Sequence, residues 1–439
     1  MDWKGLRNKM ELRPLRRFFK PDRKYDWYLI SVIVILCLSG IAFLASASSI
    51  VSTRIYNNEI FLLIRQISLG LWFGFVLAFI LSQIDYHHLY KVRKYLLFVS
   101  FVCLVWLAIA ESLYKFNLIS SPESLSIGPI RPISTNGATR WIEIGSLFRF
   151  QPVEFTKFAL LVYTASFFHK RVIKNTTNQP ITFLSLKKEL YVILSTLILI
   201  ILQPDLGSVL LVFLAVFGVL YVCDIPKKII SIILGGILAL TIITILPSFN
   251  TSGVNTNYRF DRVQTFWNNL TGKNVGTNDF NLHTNRVQEA IANGGMWGQG
   301  YGNSQYKKRN LIPEVQTDAI ISIIGEEMGF FKTLLFVSLY FLLAQRGLKV
   351  AHEAPDLFGR GLAAGIIFWI SGQTLLNIMS FLNLVPLSGV PLPFVSYGST
   401  SLLINLAAMG VLINISSFST KHNNLATSKK INRPKYTLM

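Results

Sequence analysis

The stretch WYLISVIVILCLSGIAFLASASSI, from Trp27 to Ile50, decides the fold: 24 consecutive residues carry no charge. A helix needs about 20 predominantly apolar residues to cross the hydrocarbon core of a bilayer. Working outward, comparable runs lie near 59–83, 95–116, 153–168, 189–203, 206–223, 229–248, 319–344, 361–383 and 398–418. They do not alternate apolar and polar residues as barrel strands would. The 439-residue chain is 51% hydrophobic and 15% charged, whereas a soluble protein carries about a quarter charged residues. These features predict an all-α integral membrane protein, a polytopic bundle of about ten transmembrane helices.

The formal net charge of +20 raises the question of nucleic acid, and the placement of the charges answers it. An even number of spans leaves both termini on one side. The segments on that side hold 27 of the 42 Lys and Arg, and the opposite segments hold 11. By the positive-inside rule both termini are cytoplasmic. The basic tail 1–26 then serves as an orientation signal near anionic lipid, and no aromatic stacking motif accompanies it to suggest nucleic acid. One membrane domain is expected over 27–418, followed by a second basic cytoplasmic tail, 419–439. A large extracytoplasmic loop, 249–318, falls between the seventh and eighth spans. The basic N-terminus leads into an apolar run too long for a signal-peptide core, so no cleavable signal peptide is expected. Cys37, Cys103 and Cys223 lie in apolar runs without paired spacing, and the six histidines form no ligand pair at helical spacing.

Polar residues gather at the outer ends of the spans. Arg140 and Trp141 precede Gln151-Pro152-Val153-Glu154, where Pro152 and Glu154 suit a helix first turn. Trp141 reads as an interfacial anchor, and Arg140 beside it as a grip for phosphate. Lys157 sits one turn inside a span, a costly position unless paired, and Glu154 three residues earlier is its partner by spacing. Gln203-Pro204-Asp205 repeats the pattern at another span; Asp205 reads either as a helix cap or as a site residue. The long loop carries Arg259 and Arg262, then the glycine-rich run Gly298-Gln299-Gly300-Tyr301-Gly302-Asn303-Ser304. No strand precedes those glycines, so a dinucleotide site is not expected; close backbone approach to a ligand, or plain turn chemistry, fits better.

Leu311-Ile312-Pro313-Glu314 leads to Thr317-Asp318 at the mouth of the eighth span, and Gly325-Glu326-Glu327-Met328-Gly329 follows inside it. If Asp318 opens the span, Glu326 recurs on the same helical face eight residues on. Acidic residues at this depth are functional candidates because their burial costs several kcal/mol. Finally, Val385–Gly398 holds three prolines and two glycines around Ser396-Tyr397. Such a segment cannot be a continuous helix and is tolerated at membrane depth only as a buried or cavity-lining element.

In combination these motifs resemble the SEDS family (shape, elongation, division and sporulation). The resemblance runs from Ser46-Ala47-Ser48-Ser49 to Pro391-Leu392-Pro393-Phe394-Val395-Ser396-Tyr397-Gly398. Val153, Ala319 and Ser399 depart from the residues usual in the family at those places. The resemblance implies a peptidoglycan glycosyltransferase that polymerises lipid II, an undecaprenyl-pyrophosphate-linked disaccharide-peptide. It implies a class B penicillin-binding protein and other divisome proteins as partners, and Asp318 as the acid essential for polymerisation. The basic N-terminal extension and the stretch 258–267 look more like the division branch of the family than the elongation branch.

The chemistry is consistent with that implication. Glycosyl transfer needs a base for the acceptor 4-hydroxyl, for which Asp318 is the candidate. It also needs positive charge for the departing pyrophosphate, supplied by Arg140, Lys157, Arg259, Arg262 and Lys308 with Trp141 beside them. Glu154, Asp205, Glu314, Glu326 and Ser396 are expected to support them. A divalent cation, Mg or Mn, held by Asp318 with Glu326 or Asp205 is compatible with these oxygens. A lipid II flippase, an elongation polymerase and a non-catalytic scaffold are the competing readings. The strongly apolar cytoplasmic halves of the spans disfavour a flippase, which needs a polar path to that side.

Overall fold

Three of the helices begin where an aspartate side chain accepts from a backbone N–H of the first turn. In the computed structural model, which describes residues 25–135, 137–145, 148–173, 187–203, 205–223, 231, 235, 279–309, 311–386 and 389–431, α1 spans Trp27–Tyr56. The Asp26 carboxylate accepts from Leu29 N at 3.1 Å at its start, and Asn57 ends it in the left-handed region. Next come α2 (Phe61–Gln83), α3 (His87–Lys115), α4 (Pro152–Ile173), α5 (Lys187–Leu202) and α6 (Leu206–Val222). After them follow α7 (Asp279–Gly294), α8 (Ile320–Glu353), α9 (Leu357–Phe381) and α10 (Ser399–Ile431). Asp205 caps α6 and Asp356 caps α9.

Among the described residues, six helices are long and apolar enough to cross a membrane: α1, α2, α3, α8, α9 and the Ser399–Phe418 part of α10. The chain is therefore a polytopic helical membrane protein. The shorter apolar α6 packs against the centrally placed α9, which also contacts α4 and α8. Backbone approaches backbone there: a β-carbon on Gly218 would fall 2.9 Å from the Ala364 carbonyl oxygen. Small residues at such crossings let helices close without a hydrophobic driving force. The expected seventh span, 229–248, and Arg259 and Arg262 lie outside the described residues.

Two features correct the all-α, straight-helix expectation. The first is a three-stranded antiparallel sheet, β1 (Ile130–Thr135), β2 (Ala138–Ile144) and β3 (Phe148–Phe150), within the Ser/Pro/Gly-rich segment between α3 and α4. The Asn-Gly pair at 136–137, with Gly137 at φ 74°, is a strong hairpin signal. It went unread because flanking prolines and glycines obscured the alternation.

The second is a break in α8 at Gly329, with φ 74° and ψ −179°. In an unbroken helix the N–H groups of residues 330 and 331 would bond to the carbonyls of 326 and 327. Here Phe330 N and Phe331 N donate instead to Gly295 O and Met296 O, at 2.9 and 3.3 Å. Gln299 N and Gly300 N donate to the freed Glu326 and Glu327 carbonyls, at 2.9 and 3.0 Å. The glycine-rich run thus makes its close backbone approach to the chain's own broken helix, not to a ligand.

Gly298, at φ 87°, is the tightest point of that exchange, because a β-carbon there would fall 2.2 Å from Glu327 O. Gly302 has φ 79° but open space around it. Gly302→Ala is expected to cost about 1 kcal/mol of backbone strain. Gly298→Ala adds a backbone clash, so its thermal unfolding midpoint in detergent should fall several degrees further. Equal midpoints for the two variants would refute the tight junction.

Candidate active site

At one end of the bundle these elements line a charged cavity of about 480 Å³. The hairpin supplies two of its cations. In its register Arg131, Glu143 and Arg149 stand in one row across the three strands, with Glu143 bridged to Arg131 at 2.5 Å and to Arg149 at 3.0 Å. Burial alone would raise the Glu143 carboxyl, but hydrogen bonds from Arg149 and Arg131 hold it below the usual carboxylate range. The hairpin is tied down on both sides. Thr139 N donates to the Glu111 carboxylate at 2.8 Å, and the Thr400 hydroxyl donates to Arg149 O at 2.9 Å. Arg140, Trp141 and Arg149 therefore face the cavity from a fixed support, and Arg140 Nε donates to Gln203 O at 3.2 Å.

Carboxylates line the same space: Glu154, Asp205, Glu314 and Asp318. Asp205 does both things its sequence context allowed. Its oxygens accept from Ser208 N at 3.1 Å and Ser208 Oγ at 2.7 Å, capping α6 while it lines the cavity. Asp318 is half-buried in the turn just before α8, which begins at Ile320. Glu314 is exposed, with φ 53°, and accepts from the Thr317 hydroxyl at 3.1 Å. The opposite wall is the irregular segment 389–399. Tyr397 N donates to Gln316 O at 2.8 Å, Gln66 Oε1 accepts from Gly398 N at 3.1 Å, and the Tyr340 hydroxyl donates to Pro393 O at 2.6 Å.

Several residues proposed from sequence stand elsewhere. Lys157 does not line the cavity: its amine is fully buried, 2.9 Å from the Glu154 carboxylate, 3.3 Å from Gln373 Oε1 and 4.8 Å from the centre of the Trp369 ring. It holds Glu154 from behind. Glu326 points away from Asp318 and accepts from Asn293 Nδ2 at 2.8 Å, Gln305 N at 2.9 Å and the Ser304 hydroxyl. Asp318 stands in the turn before α8, so helical periodicity does not relate the two carboxylates, and a loop takes up Glu326. Lys308 is exposed beside Asn303, and the buried neighbour Lys307 pairs with Glu327 at 2.9 Å. The Ser396 hydroxyl accepts from Leu392 N at 2.8 Å, closing a turn rather than facing the cavity.

Two cavity arginines were missed. Arg65 stands at the outer part of a predicted span, a position whose cost is itself a signal. Arg149 became legible only with the hairpin. Three arginines and four carboxylates thus meet in one cavity, which suits recognition of a diphosphate beside a group that takes up a proton. No group of three or more His, Cys, Asp or Glu among the described residues comes together in a way that could cage a metal ion.

The fold and this cavity define a multi-pass helical membrane protein with an acid- and arginine-lined site at one end of the bundle. The chain matches the FtsW/RodA/SpoVE cell cycle protein family over residues 26–421 and belongs to it. A relative named probable peptidoglycan glycosyltransferase FtsW, from Trichlorobacter lovleyi, is 33% identical over 91% of this chain and 95% of its own length. Stage V sporulation protein E of Bacillus subtilis is 30% identical over 90% and 97%. Among solved structures, a chain described under "structural coordination of polymerization and crosslinking by a peptidoglycan synthase complex" shares the fold, with a TM-score of 0.65. It is 24% identical, covering 89% of this chain and 97% of that one. The rod shape determining protein RodA of Thermus thermophilus aligns with a TM-score of 0.60 at 24% identity, over 89% and 96%.

Lys157→Met would leave the buried Glu154 carboxylate without its partner. The expected loss of stability is about 3–5 kcal/mol, the usual cost of breaking a buried pair from one side. Glu154→Gln combined with Lys157→Met should recover much of it, as read by thermal unfolding in detergent. A double variant as unstable as Lys157→Met would show that the amine matters for something other than the carboxylate.

Proposed function

We propose that this chain is a peptidoglycan glycosyltransferase that polymerises lipid II during septal wall synthesis. The observation that carries the reading is Asp318 lining one cavity with Arg65, Arg140 and Arg149. Asp318 accepts the proton of the acceptor sugar's 4-hydroxyl as that oxygen bonds to the donor's anomeric carbon. The bond from that carbon to the phosphate oxygen breaks, and the electron pair leaves with the lipid diphosphate. The arginines stabilise this anion, with geometry suited to bidentate contact. A cavity of about 480 Å³ lies within the range that ordinary ligand sites occupy. The sugars sit in it while the polyprenyl tail lies between spans.

The frame that goes with this reading has ten spans in the bacterial inner membrane, both tails cytoplasmic and the loop 249–318 outside, with enrichment at the division septum. Arg259 and Arg262 in that loop add to the cations around the diphosphate. A class B penicillin-binding protein supplies cross-linking, alongside other divisome proteins. Support for the activity comes from family membership and from the names borne by relatives at about a third identity over most of the chain. A Mg or Mn ion would be held jointly by one or two cavity carboxylates and the substrate's own phosphates, the usual arrangement for a hard divalent ion.

The test is purified protein with its partner synthase, given lipid II and scored for glycan strands. Asp318→Asn should lower the polymerisation rate by at least about a hundredfold, as loss of a general base does. Chelation by EDTA should slow the wild type less than that substitution does. Full activity from Asp318→Asn would remove the base. Lipid II translocation in vesicles without polymer would replace the enzyme reading with a flippase.

A further inference from the structure

Asn377 lies in the outer part of α9 and is fully buried. Its side-chain Nδ2 donates to two carbonyls, Asp318 O at 2.9 Å and Val390 O at 2.7 Å. Both belong to non-helical segments that line the cavity, on either side of the proposed reaction. The backbone around Asp318 needs such a hold. Ser322 N bonds back to Ala319 O at 3.0 Å, so the first turn of α8 closes one residue beyond Asp318. Gln373, one turn below on the same helix, repeats the device: its Nε2 donates to Pro391 O at 2.8 Å. Its Oε1 is taken by Trp369 Nε1 at 3.0 Å and by Lys157.

The two amides differ in one respect. Gln373 is satisfied at both ends, whereas Asn377 Oδ1 is buried with no hydrogen-bond partner among the described residues. Burying an unpartnered oxygen costs free energy, so a residue kept at this position for stability alone would be bonded at both atoms or apolar. What the asparagine supplies is a pair of donors aimed at two particular carbonyls.

We propose that Asn377 is a positioning residue: with one amide it sets where Asp318 stands relative to the Val390–Pro391 wall of the cavity. The proposal rests on Asp318 as the base. Asn377 itself is not among the residues lining the cavity and is not expected to touch substrate. Misplacing a catalytic group by about 1 Å costs on the order of a hundredfold in rate, while groups that bind the substrate elsewhere are unaffected.

The test compares Asn377→Leu and Asn377→Asp with wild type in the lipid II polymerisation assay. Asn377→Leu should lower kcat at least tenfold and leave KM for lipid II within about twofold, assayed well below an unfolding midpoint that falls because two buried carbonyls lose their donor. Asn377→Asp places an oxygen against two carbonyl oxygens. Its neutral acid form restores one donor, so its rate relative to wild type should rise as pH falls. A loss of kcat accompanied by an equal rise in KM, or a pH-independent ratio for Asn377→Asp, would assign a merely structural role.

A second measurement does not depend on activity. Asp318→Cys is labelled with a membrane-impermeant maleimide in proteoliposomes, with Asn377 or with Asn377→Leu. The labelling rate should change at least threefold between the two backgrounds, and equal rates would overturn the proposal. Polymer from the wild type and an unaltered rate from Asn377→Leu would sink the positioning role and leave the proposed function standing. No polymer from the wild type would sink the function, and the labelling pair would then decide the positioning alone.

Discussion

A backbone N–H or C=O left unpaired in hydrocarbon costs several kcal/mol, and this constraint governs every irregular segment of the protein. Two such segments matter most: the wall 389–399 and the break in α8 at Gly329. They meet the constraint differently. The wall is held by side-chain amides from two helices, α2 and α9, with Gln66 at Ser396 O and Gly398 N, Gln373 at Pro391 O and Asn377 at Val390 O. The break is met by backbone alone, four groups freed at 326, 327, 330 and 331 and four taken up between 295 and 300. Glycine is required at 298 because no β-carbon fits against the Glu327 carbonyl.

That accounting explains how so much charge can be gathered at one end of an apolar bundle. Glu154 is buried but not alone: Lys157 neutralises it from within the bundle, and Gln373 and Trp369 solvate the amine in place of water. Glu326 and Glu327, in the same helix, are both spent on fastening the loop before Asp318. Glu327 takes Lys307 and the Ser46 hydroxyl, at 2.9 and 2.7 Å, and Glu326 takes Ser304, Gln305 and Asn293. Asp318 is left half-buried at the cavity, where a carboxylate can meet a substrate proton.

The helical class and the concentration of polar residues at one end of the spans were legible because both rest on local patterns: uncharged runs of membrane length, and motifs at their ends. The i+3 spacing of Glu154 and Lys157 gave their pairing directly. What the sequence could not give was anything decided by contact across the fold. Glu326 was placed beside Asp318 by helical periodicity, which assumes that the helix begins at Asp318; α8 begins only at Ile320, and the Glu326 carboxylate accepts from Asn293, Ser304 and Gln305 instead. Lys157 is also expected from its sequence position to reach a phosphate, but the pair with Glu154 holds its amine inside the bundle, away from the cavity. The hairpin escaped because Pro132 and the glycines masked a short alternation that only pairing makes clear, and Arg149 escaped with it.

One helix links the two faces of the membrane protein through these interactions. At one end of α9, Asp356 accepts from Gly359 N at 2.9 Å, from the Tyr86 hydroxyl, and pairs with His87 Nε2 at 3.3 Å. Burial by itself would raise the Asp356 carboxyl, but the hydrogen bonds from His87, Tyr86 and Gly359 outweigh it and hold the carboxyl at about 2. A depressed carboxylate contributes stability above its unfolded pKa of 3.8 and loses it only as pH falls toward 2, so the latch is fully made at neutral pH. From Asp356 to Asn377 the helix rises about 32 Å at 1.5 Å per residue. Between those points it buries Trp369 and Gln373 and packs closely on α6 and α4. A post locked at its base and packed along its length has little freedom to slide. The amide at its outer end can therefore hold a turn of non-helical backbone in place, and with it the carboxylate on which the proposed chemistry turns.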